Sequence, residues 1–343
     1  MDTCNPVMVE ATRGERVESR HRGSAAVVDT EGAVVAAWGD TALPVFPRSA
    51  VKPLQALPLL ETGAAERFGV SDEEIALACG SHGGEPGHVE RIRAWLARVG
   101  LTPAALVCGA HPPLTEQAAR DVIRQGQPFS PLHNNCSGKH AGFLTTAVHL
   151  REPTTGYAGP VHPVQLRIKR VLAQMGGMEL QDEARGIDGC GIPTLAMPLT
   201  ALARAMARLV VPDRLGRLRA AAARRVVAAM TGHSYLVGGQ YRFDTVVMGA
   251  ANGSVLTKVG AEGVHVAALP QLGLGIAVKI DDGAKRAAET ALAGLLIRFG
   301  NLDRQCLETV RSYAEAPIRY VPEARVGTLR LAAHWLPCPL KDR

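Results

Sequence analysis

Two hydrophobic periods succeed one another along this chain. From Val7 to Trp38 the apolar residues fall in short β-branched runs, Ala25-Ala26-Val27-Val28 and Val34-Val35-Ala36-Ala37, on either side of an acid- and glycine-containing turn at Asp29 to Gly32. This pattern predicts a β-hairpin. From about Ser49 to Met230 the apolar spacing changes to three and four residues, predicting amphipathic helices at His88 to Val99, Thr115 to Gln125, Pro163 to Met175 and Leu215 to Met230. Ser71 and Glu74 have the spacing of a capping box at the start of another helix. Strand character returns at Thr245 to Met248, Val255 to Val259, Gly263 to Ala268 and Gly275 to Ile280, before a last helix at Lys285 to Arg298. The tail from Pro317 carries little periodicity.

Strands at both ends with helices between them predict an α+β fold, in which one antiparallel sheet is assembled from the two chain ends and helices cover its faces. The expected organisation is a single domain over residues 1–343, with a mostly helical portion around 49–230 and sheet strands from 7–38 and 245–280. Arg151 to Gly156 reads as a surface loop rather than a linker. Aromatic residues are only 4% of the chain, so Ala, Val, Leu and Ile must fill the core and bring elements close together.

A net charge of +6 is a mild excess, and only 7 of the 38 cationic residues are lysines. Many arginines, such as Arg204, Arg208, Arg217 and Arg224, lie on helix-like stretches, where a solvated face is expected and no nucleic-acid partner is implied. Met1 to Glu10 lacks a charged start followed by an apolar run, and no apolar stretch reaches the roughly 18 residues a membrane span needs. A cytoplasmic protein without a membrane partner is therefore expected. The seven cysteines (Cys4, Cys79, Cys108, Cys136, Cys190, Cys306 and Cys338) are odd in number and widely spread, which argues against a disulfide framework.

Four short segments carry candidate chemistry. In Arg48-Ser49-Ala50-Val51-Lys52-Pro53, a helix opening at Ser49 places Lys52 on the same face one turn on, and Pro53 is tolerated in the first turn. A buried Lys52 with a lowered pKa can then take the proton of Ser49 and turn it into a nucleophile. Taken alone, the segment reads as a capped helix with a surface lysine, since Ser-x-x-Lys is common by chance. Cys79-Gly80-Ser81-His82-Gly83-Gly84-Glu85 is a glycine-dense turn that presents Ser81 and His82 on a tight bend. His133-Asn134-Asn135-Cys136-Ser137-Gly138-Lys139-His140 is polar or metal-capable at every position but one, a composition that packing alone does not call for. Cys136 together with Cys190, in Asp188-Gly189-Cys190-Gly191, can supply thiolates to Zn²⁺, although without paired C-x-x-C spacing two buried free thiols fit better than a metal. Finally, Lys258 precedes Val259 and Gly260 on a predicted strand. Three of the seven lysines, at 52, 139 and 258, thus fall inside these segments.

In this order the segments resemble the Rhizobium etli-type (class 3) L-asparaginases of the asparaginase II family, over roughly Val7 to Gly300. A lysine on a strand beside a Ser-x-x-Lys helix is also similar to serine β-lactamases, with Val259 standing where those enzymes place Ser or Thr. The resemblance implies a serine β-lactamase- or glutaminase-like fold, a homodimer, and hydrolysis of L-asparagine to L-aspartate and ammonia. It further implies two Ser-Lys pairs, Ser49 with Lys52 and Ser81 with Lys258, beside a zinc site of Cys136, Lys139 and Cys190. Arg48 and Asp188 are candidates to hold the α-carboxylate and ammonium of the substrate, with structural ion pairs equally open to both. His140 is a candidate donor to it. Backbone N–H groups near Ser49 and in the Gly83-Gly84 turn are candidates for an oxyanion hole. A zinc hydrolase using Cys136 and Cys190, and a non-enzymatic binding or sensor domain on the same scaffold, are the competing readings.

Overall fold

The computed structural model describes residues 5–181, 184–320 and 324–336. Cys4 and Cys338, the first four residues of the Met1 to Glu10 stretch, and the end of the tail beyond 336 lie outside the described residues.

In chain order the strands are β1 (Val7–Arg13), β2 (Arg16–Asp29), β3 (Val34–Trp38), β4 (Pro44–Val45), β5 (Arg185–Ile187), β6 (Pro193–Leu195), β7 (Met197–Pro198), β8 (Leu256–Val259), β9 (Val264–Leu269), β10 (Leu274–Ile280), β11 (Glu315–Arg319) and β12 (Arg325–Leu331). Eight of them form one sheet in the order β11-β12-β1-β2-β10-β9-β8, with β3 also on β2. Every pairing in it is antiparallel. The chain is therefore α+β, its sheet built from both ends of the sequence.

β2 is long because its two halves serve different neighbours, β1 along the first and β10 together with β3 along the second. Its first half pairs with β1, Ser19 opposite Ala11, and its second half pairs with β10, Val27 opposite Ile276. Gly23 stands where the pairing changes over, and a Cβ there would lie 2.3 Å from the Lys279 carbonyl oxygen and 2.9 Å from Met8 Sδ. The side-chain period of two splits the sheet into two covered faces. Ala26, Val28, Val266, Ala268 and Ala277 pack into the core of the helical middle portion. Ala25, Val27, Ala267, Ile276 and Val278 pack instead with the apolar residues of the helices Lys285–Phe299 and Arg304–Ala314. The helix Leu199–Val210 lies directly on β10 because Gly275 has no side chain, a Cβ there falling 1.9 Å from the Ala203 carbonyl oxygen.

Most predicted elements are present with shifted ends: the helices Pro86–Arg98, Glu116–Arg124, Pro163–Gly176, Arg217–Gly232 and Lys285–Phe299 replace the five predicted spans. The capping box is present, Glu74 N–H donating to Ser71 Oγ at 3.3 Å and Ser71 N–H to Glu74 Oε2 at 3.0 Å. One strand is corrected. Thr245 to Met248 belongs to a helix, Phe243–Ala251, in which Phe243, Val247, Met248 and Ala251 are buried at helical spacing, so packing of that face overrides the strand preference of Thr245-Val246-Val247. Within the tail from Pro317, the described residues include the end of β11 and the whole of β12. The helix Arg304–Ala314, capped by Asp303 on the Cys306 N–H at 2.8 Å, leads into β11 and β12, which extend the sheet beyond β1. β11 buries none of its residues fully, which is why its alternation is weak in the sequence. Two of the arginines also depart from expectation. Arg217 and Arg224 are exposed, but Arg204 and Arg208 are half-buried, and Arg208 ties its helix to the Thr30 and Gln174 carbonyls at 3.0 and 2.8 Å. Among the described residues no helix is long and apolar enough to cross a membrane.

Candidate active site

The helix Asp72–Cys79 ends at Gly80 and is followed at once by the buried Ser81. The Ser81 N–H donates to the Val237 carbonyl at 2.8 Å, which fixes the backbone just where the hydroxyl emerges. Lys52 comes from the first turn of the helix Lys52–Gln55 and Lys258 from the interior of β8, and both are fully buried. Their amines meet on one oxygen: Lys52 Nζ lies 3.0 Å and Lys258 Nζ 2.9 Å from Ser81 Oγ. Lys52 Nζ also donates to the carbonyls of Gly80 at 2.6 Å and Asn135 at 3.1 Å, and Lys258 Nζ to that of Val259 at 2.8 Å.

This arrangement differs from two separate Ser-Lys pairs. Arg48–Val51 is a 3-10 turn ahead of the helix, and the Lys52 backbone N–H donates to the Ser49 carbonyl. Among the described residues no hydrogen bond joins Ser49 Oγ to Lys52 Nζ, because the buried amine turns inward to three oxygens that satisfy all three of its donors. The result is one chain, Lys52–Ser81–Lys258, with Ser49 outside it. The two hydroxyls differ in access as well, Ser81 being 3% exposed and Ser49 half-buried.

Burial governs the charge of both amines, since a charged form far from water is disfavoured. It pushes Lys258 down to about 7 against the opposing pull of Asp244. Lys52 is lowered by burial too, with Cys136 opposing and Lys139 adding to the effect. A hydroxyl between two such amines has one hydrogen and free lone pairs, so it can give a proton to one while receiving a proton from the other.

Next to this chain stand the two thiols. Asn134 Oδ1 accepts the Cys136 N–H at 2.8 Å, and the helix Ser137–Leu150 starts immediately afterwards. Gly138 sets that helix against Asp72–Cys79, for a Cβ there would come 2.3 Å from the Leu77 carbonyl oxygen. Gly138→Ala is therefore expected to destabilise the protein by about 1 to 3 kcal/mol through overpacking, read from urea unfolding; wild-type stability would show that the two helices can slide apart without cost. Lys139 Nζ lies 3.0 Å from Cys190 Sγ, and Cys190 Sγ lies 3.8 Å from Asp188 Oδ2. A hydrogen bond from Cys190, opposed by burial and helped by Lys139 and Lys52, holds the Cys136 thiol well below its ordinary range. Burial alone would lower Lys139, yet the two thiols and Asp188 raise it. The sequence-proposed trio is thus brought together as two sulfurs and an amine. Among the described residues no group of three or more His, Cys, Asp or Glu side chains is arranged to hold a metal. Soft thiolates with one nitrogen suit Zn²⁺ once Lys139 gives up its proton.

Arg48 and Asp188 pair with each other, Nε to Oδ1 at 2.6 Å. Arg48 has φ 52, a left-handed backbone that a non-glycine residue holds at a cost, directly before Ser49. His140 is buried, and its Nδ1 is 2.7 Å from the Tyr157 hydroxyl, which also accepts the Val107 N–H at 3.1 Å. Nε2 of His140 has no partner among the described residues. His82 and His133 serve the scaffold. His82 Nδ1 accepts the Gly84 N–H at 3.1 Å while Nε2 faces Ser137 Oγ at 3.0 Å, and His133 Nδ1 accepts the Ser130 N–H at 3.0 Å. The Gly84 N–H and the Ala50 N–H, which donates to Pro47, are accordingly not free to hold an oxyanion. The Gly238 to Arg242 loop abuts the Gly83-Gly84 turn, with the Gln240 N–H donating to Glu85 Oε1 at 3.1 Å.

Two site residues were missed in the sequence, Asp244 and His265. Each is the one ionisable residue in a run of otherwise uncharged, mostly apolar residues, Phe243 to Met248 and Val264 to Leu269, and that isolation is the signal that could have found them.

Among solved structures, the chain is similar to a β-lactamase from Mycobacterium bovis, with 13% identity over 81% of this chain and 95% of that one at a TM-score of 0.40. It is also similar to Mglu, with 16% identity over 85% and 66% at 0.42, and to a mutant of the simvastatin synthase LovD from Aspergillus terreus, with 12% identity over 85% and 90% at 0.41. Such scores carry nothing about chemistry. No curated protein matches. A sequence model of L-asparaginase II matches residues 9–331, nearly the whole length and every segment of the site, and the chain belongs to the L-asparaginase II family.

Proposed function

We propose that this amidohydrolase cleaves the side-chain amide of L-asparagine with Ser49 as nucleophile and the Lys52–Ser81–Lys258 chain as its proton relay. The observation that carries the proposal is the convergence of two buried amines on one serine oxygen, at 3.0 and 2.9 Å, behind a more accessible serine one turn before Lys52. Lys52, as the free amine and released from the Asn135 carbonyl, turns to take the Ser49 proton as Oγ attacks the amide carbon; the acyl-enzyme ester forms and the C–N bond breaks, with the nitrogen leaving as ammonia after it gains a proton. Ser81 passes protons between Lys52 and Lys258, so neither amine has to hold a charge in the protein interior for the whole cycle. Water then attacks the ester, returns a proton to Ser49 and releases L-aspartate.

Arg48 and Asp188 are proposed to open their ion pair toward the α-carboxylate and α-ammonium of the substrate, an exchange of one pairing for two. The Nε2–H of His140 is proposed as a further donor to it. Cys136, Lys139 and Cys190 are proposed to hold Zn²⁺, which when bound supplies a fixed positive charge beside the relay. The serine route needs no metal-bound hydroxide.

The test is ammonia release by the purified protein with L-asparagine and with L-glutamine, before and after zinc chelation. Release from L-asparagine that is weakened but not abolished by chelation, and restored by zinc, is expected. Complete reversible loss on chelation, with Ser49→Ala still active when zinc is present, would instead make the metal the hydrolytic centre.

A further inference from the structure

We propose that Asp244 is a positioning residue for the relay, locked in place by His265 and the Val259 N–H so that its carboxylate balances the charge arriving on Lys258. This rests on the relay proposed above. Asp244 is 2% exposed and sits in the second position of the helix Phe243–Ala251. Its two oxygens are held separately: Oδ1 lies 2.9 Å from His265 Nε2, and Oδ2 accepts the Val259 N–H at 2.9 Å. The same Oδ2 stands 3.9 Å from Lys258 Nζ. Strand β8 thus presents the amine of Lys258 and the amide of Val259 to one carboxylate, and β9 presents His265 to its other oxygen.

His265 is itself fully buried, its ring set edge-on to Phe243 at 4.8 Å between centroids, and its Nδ1 has no partner among the described residues. A ring whose only polar contact is a carboxylate must direct its N–H there, so His265 fixes the rotamer of Asp244. The carboxylate stays ionised. Burial would raise it, but the His265 bond, the charges of His265 and Lys258, and the Val259 N–H together hold it well below the usual carboxylate range.

In the relay step Ser81 gives its hydrogen to Lys258 while receiving one from Lys52. Lys258 passes from amine to ammonium, Lys52 from ammonium to amine, and Ser81 ends neutral. A positive charge is thereby created at a position with no access to water, where it needs a fixed counter-charge. Asp244 is the carboxylate that faces it, from the helix Phe243–Ala251. The other charged or titratable groups interacting with Lys258 are Lys52, Arg242, Cys136 and Cys79, and those facing Asp244 besides Lys258 are His265 and Tyr313.

The experiment is the pH dependence of L-asparagine hydrolysis by Asp244→Asn beside wild type and Ser81→Ala. With the counter-charge gone Lys258 is a weaker base, and its free-amine form persists to lower pH. The expected result is a kcat lower by about 10- to 100-fold, a KM within about twofold, and an acid limb of kcat/KM displaced to lower pH. A merely structural role would lower the folded fraction and leave the limb where it is. Wild-type kcat and an unmoved limb in folded Asp244→Asn, with Ser81→Ala impaired, overturn the role of Asp244 alone. Full turnover by Ser81→Ala removes the relay and the role of Asp244 with it. If Asp244→Asn does not fold, His265→Gln and His265→Phe decide. The glutamine amide can donate to Asp244 and is expected to keep the wild-type limb, whereas phenylalanine cannot donate and is expected to shift it; identical wild-type profiles in both overturn the proposal.

Discussion

Ser49→Ala is expected to lower ammonia release from L-asparagine by about 10⁴- to 10⁶-fold, the loss seen when an activated nucleophile is deleted from a hydrolase. The fold should survive, because Ser49 is half-buried in a short 3-10 turn and its carbonyl, not its hydroxyl, accepts the Lys52 N–H. Ser81→Ala should be milder, about 10²- to 10⁴-fold, since it interrupts a proton path without removing the attacking oxygen. The order of the two losses is the informative measurement. If Ser81→Ala is the more damaged variant and Ser49→Ala still forms an acyl-enzyme detectable by mass spectrometry, the nucleophile is Ser81 and the relay assignment must be reversed.

For Lys258→Met we expect a fall of about 10²- to 10⁴-fold in kcat with melting temperature unchanged or raised. Methionine approximates the volume of the lysine stem and has no charge to desolvate, and replacing a buried ionic group by an apolar one is often neutral or stabilising. Asp244 keeps His265 and the Val259 N–H in the variant. The pH profile adds a second test. Lys258 must be a free amine to accept the relayed proton, and burial places its pKa at about 7, so wild-type activity should rise as pH increases through about 7. That limb should be missing from the residual activity of Lys258→Met. A large drop in melting temperature with kcat intact would make Lys258 a structural residue, and a wild-type profile without a limb near neutrality would remove it from the relay.

Local signals in the chain were sufficient for what depends on neighbours in sequence. The hairpin of β2 and β3, the capping box at Ser71, the long amphipathic helices and the polar segment from His133 to His140 all follow from composition and period over a few residues. So did the placement of strands at both ends, and with it the α+β class. Which groups touch was settled elsewhere. A period cannot say that Lys52 turns inward to Gly80, Ser81 and Asn135 instead of toward Ser49, because that choice is made by acceptors 28, 29 and 83 residues away. Nor can it show that Thr245 to Met248 is helical, since the face that buries Phe243 and Val247 exists only once the tail helix and β9 are in place. The separation of Lys258 from Ser81 is 177 residues and that of His265 from Asp244 is 21, and each pair is joined only by the closing of the sheet around the helical middle. Desolvation, which lowers both Lys52 and Lys258, is a property of the assembled interior and of no segment taken alone.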